Sequence, residues 1–265
     1  ENDPAIYLMP STQVNRWNKS SFDLRDKTVT EFPSEDVNQF TLTYPNQTWI
    51  FKRENGDWKL TQPKSLDLDK YKVEDLFWKL HSSQIKQFVD ESPKELKSYG
   101  LDKPSVTAEI KTNAGKVLSI SLSNQGPKPD LVYAKTSDKS FVFAIETSVE
   151  QGLIIKNVDA LRNRNLFSFN VDDIQTIQLI STTTLNLSKE KEDWLLTTPK
   201  KIKVDYSKTQ DILWKINGLH IIDFIEDTPQ DLNKYGLVNP PVKVILTDSH
   251  KKTYSLLLGK LSPSG

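Results

Sequence analysis

Histidines, acidic doublets and a pair of repeated tryptophans are the residues of this chain best equipped for chemistry. The histidines are His81, His220 and His250, and the positions 136 residues away from them hold Asn217, Gln84 and Ala114. No two histidines share the short spacing by which one helix face grips a metal. They read as surface or helix-end residues, with no metal and no cofactor expected. Asp90-Glu91 and Glu226-Asp227 each follow an aromatic-aliphatic pair, Phe88-Val89 and Phe224-Ile225. Paired carboxylates can serve as general acid and base, and a carboxylate hydrolase needs its two carboxyls about 5–9 Å apart across a cleft. Neighbours in one strand point to opposite faces, however. Both doublets also precede a Ser/Thr-Pro helix start, where each negative charge is favoured by roughly 0.3–1 kcal/mol. A backbone role is therefore expected for them, and no catalytic residue is assigned.

Trp78 and Trp214 differ in kind. Each sits five residues after Val73 or Thr209, which on a helix is about 140° away from the apolar stripe. An off-face indole can anchor a protein partner or stack on a sugar ring, or it can pack under a loop or a neighbouring repeat. Trp78 and Trp214 are the candidate partner-binding residues. Trp58 and Trp194 fall in strand patterns and belong to the core. Leu24-Arg25-Asp26-Lys27 and Leu161-Arg162-Asn163-Arg164 could clamp an anion, but a lone basic cluster more commonly pairs with nearby acids. No phosphate-cradling glycine loop, nucleophile elbow or zinc-protease motif occurs.

Composition narrows the field further. Thirty-five basic against 35 acidic residues give no net charge, which argues against nucleic acid as a partner. The lack of cysteine rules out thiol catalysis, Cys-ligated metal and disulfide scaffolding. No apolar run approaches the roughly 18 residues of a spanning helix, and Glu1-Asn2-Asp3-Pro4 does not read as a signal peptide.

The elements that carry these residues occur twice. Trp58-Lys59-Leu60-Thr61-Gln62-Pro63-Lys64 recurs as Trp194-Leu195-Leu196-Thr197-Thr198-Pro199-Lys200. Phe77-Trp78-Lys79-Leu80 recurs as Leu213-Trp214-Lys215-Ile216, and Ser98-Tyr99-Gly100-Leu101 as Lys234-Tyr235-Gly236-Leu237. Residues 58–124 align on 194–260 without a gap, at roughly 30% identity. Upstream the offset grows by one, with the slip placed at Pro45-Asn46, and residues 5–17 lie weakly over 142–154. The boundary is expected at Gln125-Gly126-Pro127-Lys128-Pro129, a stiff polar linker, giving repeats 1–126 and 127–265; a boundary near 160 is the other phase.

Each copy reads as α+β, a mainly antiparallel sheet with one longer amphipathic helix and one short capped helix. Phe40 and Leu42 alternate with polar residues, as do Trp49 and Phe51, and Glu54-Asn55-Gly56-Asp57 makes a hairpin turn. Its glycine-free counterpart, residues 189–193, is expected to be looser. Val73, Leu76, Phe77 and Leu80 form a helical stripe after an Asp69 N-cap, repeated as Thr209, Ile212, Leu213 and Ile216 after Asp205. Ser92-Pro93-Lys94-Glu95 predicts a capping box, with Thr228-Pro229-Gln230-Asp231 close to one. Gly100 and Gly236 predict left-handed C-caps. Two alternating strands close each unit.

The order W-x-L-x-x-P, helix, F-[VI]-[DE]-[DE]-[ST]-P, Y-G-L-x-x-P, strand pair and L-R-[DN]-[KR]-x-x-x-F resembles a bacterial family, the domain of unknown function 4340 family. The family places glycine after the second closing strand, as at Gly259, where the first copy has Ser123. The resemblance implies an extracytoplasmic accessory or scaffold domain, periplasmic or cell-surface, beside ABC-transporter components of the gliding-motility type. It implies a membrane anchor outside this chain and supplies no catalytic residues. The expected function is therefore a non-catalytic interaction domain with a membrane-complex subunit as protein partner. The alternative is a carbohydrate or envelope-ligand module that uses exposed tryptophan.

Overall fold

The computed structural model describes residues 5–261, so Glu1-Asn2-Asp3-Pro4 lies outside the described residues. Two compact units divide the chain at Asn163/Arg164.

The first unit opens with helices α1 (Ser11–Trp17) and α2 (Ser21–Leu24), then strands β1 (Val37–Tyr44), β2 (Gln47–Glu54), β3 (Asp57–Gln62) and β4 (Leu66–Asp67). Helix α3 (Lys70–His81) follows, then β5 (Gln87–Asp90), β6 (Val106–Thr112), β7 (Val117–Leu122), β8 (Leu131–Thr136), β9 (Val142–Glu146) and helix α4 (Thr147–Leu153). Its nine strands form one antiparallel sheet in the order β4-β3-β2-β1-β6-β7-β8-β9-β5. Alternation puts Phe40, Leu42, Phe51, Ala108 and Ile110 on the core face, where Phe77 of α3 meets Phe40 at 5.9 Å and Trp58 at 5.8 Å. The run Val142-Phe143-Ala144-Ile145 is buried throughout, as befits a strand flanked on both sides and covered on both faces.

The second unit contains β10 (Ile174–Ile180), β11 (Thr184–Glu190), β12 (Asp193–Thr198), β13 (Ile202–Lys203), helix α5 (Tyr206–Asn217), β14 (Val242–Asp248) and β15 (Thr253–Leu258). Its antiparallel order, β13-β12-β11-β10-β14-β15, reproduces β4-β3-β2-β1-β6-β7. The register matches as well: Phe40 faces Ile110 and Ile177 faces Leu246. The bridges Thr28–Gln84 and Asn165–His220 repeat each other too. The slip falls where expected: four residues separate the paired Thr43 and Thr48, and three separate their counterparts Ile180 and Thr184.

Several expectations are corrected. Residues 125–129 lie inside the first unit, in the connection between the paired strands β7 and β8; a hairpin connection uses the same Gly/Pro chemistry as a linker. The division at Asn163/Arg164 falls close to the other phase of the repeat. The capping boxes do not form: each predicted short helix is one 3-10 turn, Lys97–Tyr99 or Asn233–Tyr235, without a side-chain N-cap. In the first copy, Asp90 takes the Ser92 amide at 2.9 Å and ties the chain into a local turn ahead of Pro93. The left-handed glycines are present, Gly100 at φ 65° and Gly236 at φ 69°, with Leu101 and Leu237 amides reaching back to Leu96 and Leu232 carbonyls. The turn after Glu190 is no looser than its glycine-bearing counterpart, because Lys191 itself adopts φ 58° where Asn55 has φ 52°. Ile212 leaves the stripe half exposed, whereas its counterpart Leu76 is buried. Asp69 and Asp205 cap α3 and α5 as expected.

Candidate functional site

Helix α3 presents one face to the core through Val73, Leu76, Phe77 and Leu80, which leaves Tyr71, Asp75 and Trp78 directed away from it. Tyr71 and Trp78 are two turns apart on the same side. Together with Glu74, Asp75, Arg53 of β2 and Glu35 they line a groove of about 700 Å³. Trp78 is 52% exposed and Tyr71 is more open still. The Trp78 indole lies 5.1 Å from the His81 ring, tilted by 31°, and His81 in turn meets Phe32 edge-on at 5.2 Å.

Arg53, Glu74 and Asp75 of the groove each have a charged partner. Arg53 pairs with the Glu74 carboxylate through Nη2 and donates through Nη1 to the Glu35 carbonyl at 3.0 Å. Its guanidinium lies 5.2 Å from the Trp58 ring centroid, and Trp58 Nε1 donates to Glu74 Oε1 at 3.4 Å. Asp75 accepts from Lys79 at 2.6 Å, one turn along the helix. The surface thus sets two exposed aromatic rings beside fixed charges.

The lining of the groove is not repeated among the described residues of the second unit. Trp214 recurs at 60% exposure, but Ser207, Gln210 and Lys189 stand where the first unit has Tyr71, Glu74 and Arg53. Lys189 keeps only the backbone contact, donating to the Asp172 carbonyl as Arg53 donates to Glu35. Trp194 Nε1 is buried without an acceptor where Trp58 has Glu74.

The other candidates are placed as follows. Asp90 accepts the Tyr99 hydroxyl at 2.6 Å, and this bond, with the Ser92 amide, holds its carboxyl below the usual carboxylate range. Glu226 accepts from Tyr235 at 2.6 Å. The two lie in different units, each occupied by its own tyrosine. Arg25 pairs with Glu91 and lies 3.3 Å over the Phe88 ring, so the basic cluster of the first copy is spent on an ion pair and a cation–π contact. In the second copy Arg164 takes the aromatic, 5.4 Å from Phe224, and also holds the Ile221 carbonyl at 2.8 Å; Arg162 pairs with Asp159 at 3.2 Å. His220 bridges to Asn165, and His250 caps the Asp248 turn through its amide. Among the described residues no group of three or more His, Asp and Glu side chains could hold a metal ion, and no helix is long and apolar enough to cross a membrane.

Tyr71 and the Arg53–Glu74–Trp58 cluster escaped the sequence reading. The seven-residue spacing of Tyr71 and Trp78 was the available signal for the first. Nothing local links Arg53 to Glu74, which are 21 residues apart.

A family model described as a domain of unknown function, DUF4340, matches residues 1–65, 58–240 and 194–265. The chain belongs to the DUF4340 family. Two of the three DUF4340 matches begin at Trp58 and Trp194, the same point of the repeat. Gly259, after the second closing strand, is required by the packing there: a Cβ would stand 2.1 Å from the Tyr235 carbonyl oxygen. In the first copy Ser123 occupies that place, buried, with its hydroxyl accepting the Gln125 amide at 2.9 Å. No curated protein and no solved structure matches this DUF4340 chain.

Proposed function

We propose that this DUF4340 chain is a non-catalytic interaction domain. Its first unit holds a protein partner, a subunit of a membrane or ABC-transporter-type complex, in the groove along α3. The observation that carries this reading is half-exposed Trp78 and exposed Tyr71 lining one groove beside the Arg53–Glu74 and Lys79–Asp75 ion pairs. Exposed tryptophan and tyrosine beside a fixed arginine is the composition of an interface anchor. An extracytoplasmic place beside a transporter, with a membrane anchor outside this chain, follows from the family resemblance. The test is site-specific photocrosslinking from position 75 in bacterial membranes, followed by identification of the adduct. One transporter-complex subunit is expected, and the adduct should be lost in a Tyr71→Ala/Trp78→Ala chain. An adduct insensitive to that double substitution would overturn the reading.

A second reading, a carbohydrate or envelope-ligand module, draws on the same two rings, which could stack on a sugar face. It expects oligosaccharides of the envelope to quench tryptophan fluorescence in the wild-type chain and not in Trp78→Ala.

A further inference from the structure

Helices α3 and α5 pack on the buried face of their sheets through Phe77 and Leu213, and alternation along each strand turns the intervening residues to the opposite face. Because the register is repeated, that outward face can be compared row by row. In the first unit Lys59, Lys52, Gln39 and Lys111 stand side by side across β3, β2, β1 and β6. In the second unit the same row reads Leu195, Ser188, Thr176 and Thr247 across β12, β11, β10 and β14. In the next row Glu109 of β6 gives way to Ile245 of β14. Four charged positions have thus become uncharged, while the reverse exchange, Thr107 for Lys243, occurs once. Strands β8 and β9 and helix α4 do not cover this face: in the first unit, where all three are present, Thr43, Lys52 and Lys111 on it are exposed.

The outward face of the second unit is complementary to itself. Thr176, Gln178, Asn186, Ser188, Ile245 and Thr247 line a shallow trough of about 270 Å³. Gln178 and Asn186 are directly opposed on β10 and β11, and Gln178 Nε2 donates to Asn186 Oδ1 at 3.0 Å. That bond leaves an amide oxygen on Gln178 and an amide nitrogen on Asn186 side by side. A two-fold rotation brings such a pair onto its own complement, nitrogen to oxygen twice, and reversing both amides preserves the match.

We infer that the outward face of the second unit packs against the same face of a second copy, sheet on sheet, about a two-fold axis at the Gln178–Asn186 pair. Depletion of charge is the compositional mark of an interface core. The lysine row of the first unit, set against itself, would oppose like charges, so only the second unit's face is fit for this contact. Five strands about 4.8 Å apart and some seven residues long give a face of about 500 Å² in plan. Side-chain relief brings its accessible area toward the roughly 800 Å² per partner of a stable association. Sheets stacked in this way keep their strands within about 30° of each other. The contact is isologous, so it closes at two chains. This inference uses neither Trp78 nor the groove, and it stands or falls apart from the proposed function.

The test is sedimentation of the full chain across a wide concentration range. The mass should rise from 30.3 kDa to twice that value and stop there. Ser188→Lys/Thr247→Lys installs the residues that the first unit carries as Lys52 and Lys111, so the sheet accommodates them and circular dichroism should not change. This variant should remain monomeric. The chain has no cysteine, so Ser188→Cys supplies a single thiol. Its labelling by a maleimide should slow as the mass doubles, while Lys52→Cys, at the counterpart place, should label at one rate throughout. Wild type that stays monomeric, as it would if another protein or a glycan were the occupant, would overturn the inference. A mass that climbs past two chains, a dimer that survives the two lysines, or a dimer in which Ser188→Cys stays fully reactive would overturn it equally.

Discussion

The Tyr99 hydroxyl donates to the Asp90 carboxylate at 2.6 Å, and nine residues likewise separate Tyr235 from Glu226, joined at the same distance. The bond ties the end of β5 to the 3-10 turn that precedes Gly100, and it explains the repeated acidic residue without catalysis. Its charge sense is definite: Tyr99 lowers the Asp90 pKa, and Asp90 raises that of Tyr99. A depressed carboxyl contributes stability above its unfolded pKa of about 3.9, and that contribution is lost as pH falls through the folded value. Tyr99→Phe is therefore expected to raise the Asp90 pKa in an NMR titration. The stability gap between wild type and variant should be constant near neutrality and close in the acid range. A gap that persists at acid pH would assign the stabilisation to packing of the ring.

Tyr44 is a partly buried tyrosine whose hydroxyl donates to the Leu153 carbonyl at 2.6 Å and accepts the Ile155 amide at 3.4 Å. It fastens the end of β1 to the C-terminus of α4. Burial pushes its pKa up to about 12. A raised folded pKa means that the contribution is complete below the unfolded value of about 10 and is lost as pH rises through 12. Spectrophotometric titration should find one tyrosine ionising near that upper limit, absent in Tyr44→Phe. The variant should lose about 1–2 kcal/mol at neutral pH by leaving a buried carbonyl and amide unmatched.

Patterns that depend on periodicity were legible before any coordinates. The stripe Val73, Leu76, Phe77, Leu80, the alternation of Phe40 with Leu42, and the left-handed glycines all follow from rules local to a few residues. The capping box was misread because Asp90 competes for the Ser92 amide, a contest invisible in Ser-Pro-Lys-Glu alone. Gln125-Gly126-Pro127-Lys128-Pro129 carries the same residues whether it links domains or turns a chain between two strands, and only the pairing of Leu122 with Ala134 decides. The groove eluded the sequence for another reason: Arg53, Glu74 and Trp58 meet through sheet-on-helix packing, and long-range packing has no period.

The Arg53–Glu74 pair yields a prediction through the repeat. The second unit lives with Gln210 and Lys189 at these places, so the fold tolerates a lysine beside a neutral glutamine. Glu74→Gln alone strands Arg53, which has one-fifth of its side chain exposed. Its cost should be about 1–3 kcal/mol in urea unfolding, short of the loss seen for a fully buried pair. Arg53→Lys/Glu74→Gln, which installs the second unit's own combination, should recover part of that loss. A double variant as unstable as Glu74→Gln would mean that the cost lies in the lost bond to Trp58 Nε1.

Gly100 and Gly236 occupy the same left-handed position, yet alanine should not cost the same at each. A Cβ at Gly100 would stand 2.7 Å from Ser123 Oγ, a buried hydroxyl already holding the Gln125 amide. At Gly236 the contact of 2.7 Å is to Cγ of Lys260, a flexible exposed chain, with the Lys260 amide nitrogen at 3.1 Å. The backbone penalty of about 1–2 kcal/mol is common to both. Gly100→Ala should therefore be the more destabilising in chemical denaturation, because its neighbour cannot yield. Ser123→Gly in that background, which gives the first copy the residue its counterpart Gly259 has, should bring the cost down toward that of Gly236→Ala. Equal costs for the two alanines, with no relief from Ser123→Gly, would show that backbone conformation alone sets the requirement for glycine.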